Sequence, residues 1–238
     1  MLSRPAPRIA GRRNQMLVDT SPASSSGLST GTAPLIRVVD DESTIQSLFE
    51  RIGQLCGFEV ECHGTAESFL AAFDTERPGC LVIDLMLPDK SGIDVLKDVT
   101  QRGCELPIVF MSGMARVSEA VQALKLGSID FVEKPFDVQQ IAEVLRRAVD
   151  LDLRRRRQSA DRDELRRRFD SLTRRETQVM EQIVRGAANK EVAASLGLSH
   201  KTVEVHRANV MRKTQAGSLA ELVRMHIAAT SGTEQAGD

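Results

Sequence analysis

A rhythm repeated five times between Leu35 and Val149 restricts the fold more than any other feature. Each repeat is a short apolar run, then a polar or small residue, then a helical period. Runs at residues 35–39, 58–62, 80–83, 107–111 and 129–133 read as strands. The middle ones are continuously apolar, as strands buried on both faces are. Helical spacing follows each run. The first helix extends from Ser43, read as its N-cap, to about Leu55, and the next spans 66–73. The third covers 92–102 through Ile93, Leu96 and Val99, and the fourth covers 118–126, stopped by Gly127. The fifth starts at Asp137 as cap and carries Val138, Ile141, Leu145 and Val149. Five βα units in succession predict an α/β doubly wound, five-stranded parallel sheet over 35–150, taken in the order 2-1-3-4-5, one of the common orders of such sheets.

The remainder divides by composition. Residues 1–34 are rich in Ser, Pro, Gly, Ala and Arg without any period and read as a disordered tail, with Met16 as an alternative start. Residues 151–170 carry Arg154–Arg157 and Arg166–Arg168 and read as a basic helical linker. Residues 171–228 read as an all-α domain of four helices, and 229–238 as a flexible tail. Charge follows the same division: 35–150 hold 11 Lys/Arg against 20 Asp/Glu, whereas 151–238 hold 17 against 12. An acidic centre joined to a basic end predicts a polyanion as the partner of the end. Cys56, Cys62, Cys80 and Cys104 form no C-x-x-C pair, which disfavours zinc and fits reduced thiols in the cytoplasm. No run is long and apolar enough for a membrane span.

Asp84 follows Leu81-Val82-Ile83 at the carboxyl end of the central strand, where open α/β sheets bind their ligands. A lone aspartate there is usually a turn cap, so its companions decide. Asp40 and Asp41 follow the first strand, Ser112 ends the fourth and Lys134 the fifth. Three carboxylates in one pocket call for a cation, and few oxygen ligands suit Mg²⁺. Asp84 then reads as a phosphate acceptor, with Ser112 and Lys134 on the phosphoryl oxygens. This set, with D-D-E, D-L-M-L-P-D-K-S-G, M-S-G and D-F-V-E-K-P-F, resembles the receiver domain of two-component response regulators, a flavodoxin-like fold. The resemblance implies Asp40, Asp41, Asp84 and the Met86 carbonyl around Mg²⁺. It also implies a Ser112/Phe131 switch pair, a cis bond before Pro135 and a sensor histidine kinase as donor. Phosphatases of the haloacid dehalogenase type place a second Asp two residues after the nucleophile. Met86 stands there, so the chain is not read as an enzyme.

In the basic end, Thr173–Glu176 and Ser218–Glu221 read as capping boxes and Asn189 and Ser199 as caps. Residues 189–196, the turn Gly197-Leu198-Ser199 and residues 200–213 have helix-turn-helix spacing. Val203, Val210 and His206 are expected inward. Lys201, Glu204, Val205 and Ala208 face base edges, and Lys190, Thr202, Arg207, Arg212 and Lys213 face phosphates. His206 is kept among the DNA-contact candidates as well. L-T-R-R-E-T-Q-V-M-E-Q-I-V-R-G, continuing through S-H-K-T-V-E-V-H-R-A-N-V-M-R-K, resembles the LuxR-type DNA-binding domain. Together the halves resemble the NarL/FixJ class, closest to the FixJ branch. That implies a transcriptional regulator that dimerises on phosphorylation and works with double-stranded DNA and RNA polymerase. The receiver dimer is expected at 118–126 and 129–133, and the acidic receiver is expected to cover helix 200–213 until phosphorylated. A quorum-type regulator with a small apolar ligand is the alternative, but its usual Trp and Tyr pocket residues are impossible in a chain with neither.

Overall fold

A computed structural model describes residues 33–113 and 117–230, with backbone only for 117–120. The expected tails at 1–34 and 229–238 lie mostly outside the described residues. The first part alternates β1 (Leu35–Val39), α1 (Ser43–Cys56), β2 (Glu59–His63), α2 (Ala66–Ala72), β3 (Gly79–Asp84) and α3 (Gly92–Gln101). It continues with β4 (Ile108–Ser112), α4 (Val117–Lys125), β5 (Asp130–Glu133) and α5 (Val138–Asp170). The strands form one parallel sheet in the expected order, β2-β1-β3-β4-β5. β2, β4 and β5 each start one residue later than the apolar runs suggest. The Phe58 N–H is taken by the Gly53 carbonyl at the end of α1, and Pro107 has no N–H for the ladder.

Alternation along the strands fills two cores. Ile36, Val38, Val82, Val109 and Met111 pack with Phe49, Ile52, Ile141 and Leu145 of α1 and α5. Val39, Leu81, Ile83 and Phe110 pack with Phe69, Val95, Leu96 and Val99 of α2 and α3. Each large side chain fully buried this way contributes about 1.5–3 kcal/mol. Val138, in the first turn of α5, stays exposed.

Three expected caps differ. Ser43 is the first helical residue of α1, and Glu42 sits at the cap position without a side-chain bond. The Glu42 N–H goes instead to Asp40 Oδ1 at 2.9 Å. Asn189 likewise lies inside its helix, after Ala188. Ser218 does accept from the Glu221 N–H, but Glu221 Oε2 accepts from the Gly217 N–H at 2.8 Å, so the box closes one residue early.

The expected linker is the second half of α5, one uninterrupted helix of 33 residues, about 50 Å long. Its first half buries Ile141, Ala142, Leu145, Ala148 and Val149. Receiver packing does not stop at residue 150. Asp152, only 3% exposed, accepts from the Gly79 N–H at 2.9 Å and from Arg156 Nε at 2.8 Å. Arg156 also donates to the carbonyls of Thr75, Glu76 and Arg77. Beyond Arg156 the helix is polar, with Glu164 paired to Arg167 and Arg168, as helices that bridge domains through solvent are.

Four helices follow: α6 (Arg174–Val184), α7 (Asn189–Leu196), α8 (His200–Thr214) and α9 (Leu219–Thr230). α9 runs past its expected end near Met225. Their core is Val179, Met180, Ile183, Val192, Val203, Val210 and Leu222, and Phe169 and Leu172 from the end of α5 and the following turn pack against it. Among the described residues no helix is long and apolar enough to cross a membrane.

Candidate functional site

The parallel register brings the strand ends level. Val39 pairs with Ile83 and Asp84 with Met111, while Ser112 pairs with Glu133. Asp40, Asp84 and Ser112 are therefore delivered to one edge, all buried, with Asp41 exposed beside them. Gly92 lets the next helix start close by, because a Cβ there would collide with the Asp84 carbonyl oxygen. Lys134 closes the group, its side chain 10% exposed. Nζ donates to Asp84 Oδ2 at 2.6 Å, Asp40 Oδ2 at 2.7 Å and Glu42 Oε1 at 2.9 Å. The peptide bond between Lys134 and Pro135 is cis.

Burial raises the Asp40 pKa against the opposing bonds from Lys134 and the Glu42 N–H. Burial pulls the Lys134 ammonium down, but its hydrogen bonds to Asp40, Asp84 and Glu42 outweigh that and raise its pKa, so it stays charged. One carboxylate oxygen each from Asp40, Asp41 and Asp84 lie within 4.8 Å of one another. Three hard oxygen donors carrying more negative charge than one ammonium balances fit Mg²⁺. Met86 follows Asp84 directly. Its N–H donates to Asp84 Oδ1 at 2.9 Å and its side chain points to solvent. Phe131, half-buried on β5, packs against the core beneath α2 and α3.

In the helical domain, Lys201, Glu204, Val205, Ala208 and Arg212 are exposed and share one stripe of α8 by helical spacing. Glu204 lies 3.5 Å from His200 Nδ1. Thr202 is held by the Ser199 cap. Arg207 donates to Asn189 Oδ1 at 3.0 Å, clamping α8 to α7, and Lys190 stands exposed at the start of α7. Two of the DNA-contact candidates turn toward the bundle, an inward position also expected for His206. Lys213 Nζ donates to Glu176 Oε2 at 2.7 Å and to the Ser171 carbonyl at 3.1 Å, so its charge is engaged inside the bundle. His206 is half-buried with Nδ1 enclosed. Covering of α8 by the receiver is not the arrangement found either, since the outward stripe is exposed.

Reasoning from the sequence missed Glu42 as a third partner of Lys134. D-D-E was its only signal, and an acid after two others reads as solvated. It also missed the tie of Glu176 to Lys213, which join from 37 residues apart.

With this geometry in place, comparison with known proteins is decisive. Residues 36–146 match the response regulator receiver domain and residues 170–226 the LuxR family of bacterial regulatory proteins. FixJ of Azorhizobium caulinodans is 40% identical over 194 residues, covering 82% of this chain and 92% of that protein. The chain belongs to the FixJ-like response regulators. The response regulator TodT of Pseudomonas putida is 35% identical, over 81% of this chain and 85% of its own length. Among solved structures, the response regulator StyR superposes with a TM-score of 0.76 at 36% identity, covering 82% of this chain and 98% of StyR. The FixJ-like chain joins a receiver to a LuxR-type domain in a single transcriptional regulator.

Proposed function

We propose that this regulator is switched by phosphorylation of Asp84 by a sensor histidine kinase in the cytoplasm. The observation that carries the reading is the single Lys134 ammonium bridging Asp84 and Asp40, with Asp41 alongside. Asp84 Oδ attacks the phosphorus of a phosphohistidine, forming an O–P bond as the N–P bond breaks and the imidazole leaves. Lys134, already 2.6 Å from Asp84 Oδ2, is placed to follow the new phosphoryl oxygens, and Ser112 ends the neighbouring strand to receive one. Asp40, Asp41, Asp84 and the Met86 carbonyl would hold Mg²⁺, which when bound neutralises the charge of the incoming phosphoryl group. Phe131, on the next strand two residues before the Glu133 that pairs with Ser112, would turn inward and remodel the α4–β5 face. Val121, Leu124 and Leu126 are exposed there, which suits a homodimer, and a dimer suits paired half-sites on double-stranded DNA. The stripe Lys201, Glu204, Val205 and Ala208 would read bases while Arg212 contacts phosphate, and bound RNA polymerase would be the downstream partner.

The test is intact mass after incubation with acetyl phosphate, with and without Mg²⁺. Wild type gains one phosphate only with Mg²⁺, and Asp84→Asn gains none. Equal uptake by the Asn variant rejects the assignment.

A further inference from the structure

We propose that Asp89 is a positioning residue that ties the phosphoacceptor loop to α2. It belongs to none of the strand ends that converge on Asp84, yet its carboxylate makes two long-range bonds. Oδ1 accepts from the Ala66 N–H at 3.0 Å and Oδ2 from the Glu67 N–H at 2.9 Å. These are the first two amides of α2, which no carbonyl of the helix can reach. The local cap, Thr65, takes only the third, from Ser68 at 3.1 Å. Capping of α2 is thus shared between its own Thr65 and a residue more than 20 positions away, and a carboxylate there also suits the helix dipole.

The loop's other ties stay within it or run to β3, α3 and the neighbouring β4. Met86 bridges to Ser91, Lys90 pairs with Asp98, and Ser91 caps α3. Asp89 alone among the described bonds of this loop crosses to α2. The same loop carries Met86, whose N–H orients Asp84 Oδ1 and whose carbonyl the proposed function places on Mg²⁺. Loss of the Asp89 tie therefore loosens the loop just where the donors must be held, without removing any donor.

This inference rests on the phosphoacceptor reading, and its test separates the two. The full chain is titrated with Mg²⁺ by calorimetry, since it has neither Trp nor Tyr to report by fluorescence. Hydrogen exchange is followed at residues 66–68 and 86–91, and acetyl phosphate uptake is measured across Mg²⁺ concentrations. Asp89→Ala should weaken Mg²⁺ binding about 10-fold, the usual scale for residues that orient metal ligands. Uptake should slow at low Mg²⁺ and recover at saturation. Asp89→Asn, which keeps an acceptor, should restore most of the affinity. Wild-type affinity and uptake in Asp89→Ala, with protection lost only at 66–68, would make Asp89 a helix cap and nothing more. A wild type that neither binds Mg²⁺ nor takes up phosphate would instead reject the phosphoacceptor reading itself.

Discussion

The two domains each enclose a lysine against carboxylates, and the comparison shows how charge balance separates a working site from a structural one. In the receiver, Lys134 faces Asp40, Glu42 and Asp84, with Asp41 close by, so negative charge is in excess. In the helical domain, Lys213 faces one carboxylate. Glu176 accepts from Lys213 Nζ, from the Thr173 N–H at 2.8 Å and from the Thr173 hydroxyl at 3.0 Å. Burial works against the charged form of Glu176, but those three bonds overcome it and hold its pKa at about 2. Asp40 is displaced the other way, upward, chiefly by burial. The first cluster carries more negative charge than its one lysine balances, and the second is satisfied by its own chain.

Breaking the satisfied pair should have the largest effect on stability. Lys213→Met leaves Glu176 buried without its counter-charge, at a cost of roughly 3 kcal/mol. Melting followed by circular dichroism should show the helical domain unfolding first, and DNA binding lost with it. A variant that melts like wild type yet binds DNA poorly would return Lys213 to the phosphate-contact role expected from the sequence.

Acid sharpens the same contrast. The folded pKa of Glu176, about 2, lies below its ordinary value of 4.5. A depressed carboxylate stabilises above the unfolded value, and that stabilisation drains away as pH falls from about 4.5 toward 2. Asp40, with its pKa raised, has the opposite sign: its contribution is most favourable in acid and is lost as pH rises through its folded value. Glu176→Gln should therefore be less stable than wild type at neutral pH, and the gap should close across that acidic window.

A smaller effect of opposite sign is expected in the receiver. Asp41 is exposed and only adds to the excess charge, so Asp41→Asn should raise Mg²⁺-free stability by about 0.5–1 kcal/mol. It should also remove most of the stabilisation that added Mg²⁺ brings to wild type. Calorimetric melts with and without Mg²⁺ check both statements. Loss of stability without Mg²⁺ would mean that the cluster is not in charge excess.

The smallest effect belongs to an exposed cation with no structural duty. Arg212→Ala should leave melting unchanged and weaken DNA binding alike for all sequences. The slope of log affinity against log salt should fall by about 1. A change confined to one base position would place Arg212 on a base edge instead.

How far the sequence could be read depends on the range of each interaction. Apolar period and turn residues are local signals, so the five strands and the turn at Gly197-Leu198-Ser199 were legible directly, and the strand order followed from the fold class they resemble. The convergence of Asp40, Asp84, Ser112 and Lys134 was legible as well, because a parallel sheet brings all its strand ends to one edge whatever the loops do. Partners chosen by side chains across long separations were not. Lys213 has the sequence context of a DNA contact, and only the packing of α8 against α6 turns it toward Glu176. Asp89 reads as a loop residue until α2 is set beside it. Arg154–Arg157 read as a solvated linker, yet Arg156 reaches carbonyls some 80 positions earlier because α5 runs on without a break. Periodicity and strand-end chemistry are written in neighbouring residues, whereas the pairing of buried charges is decided by which surfaces the folded helices press together.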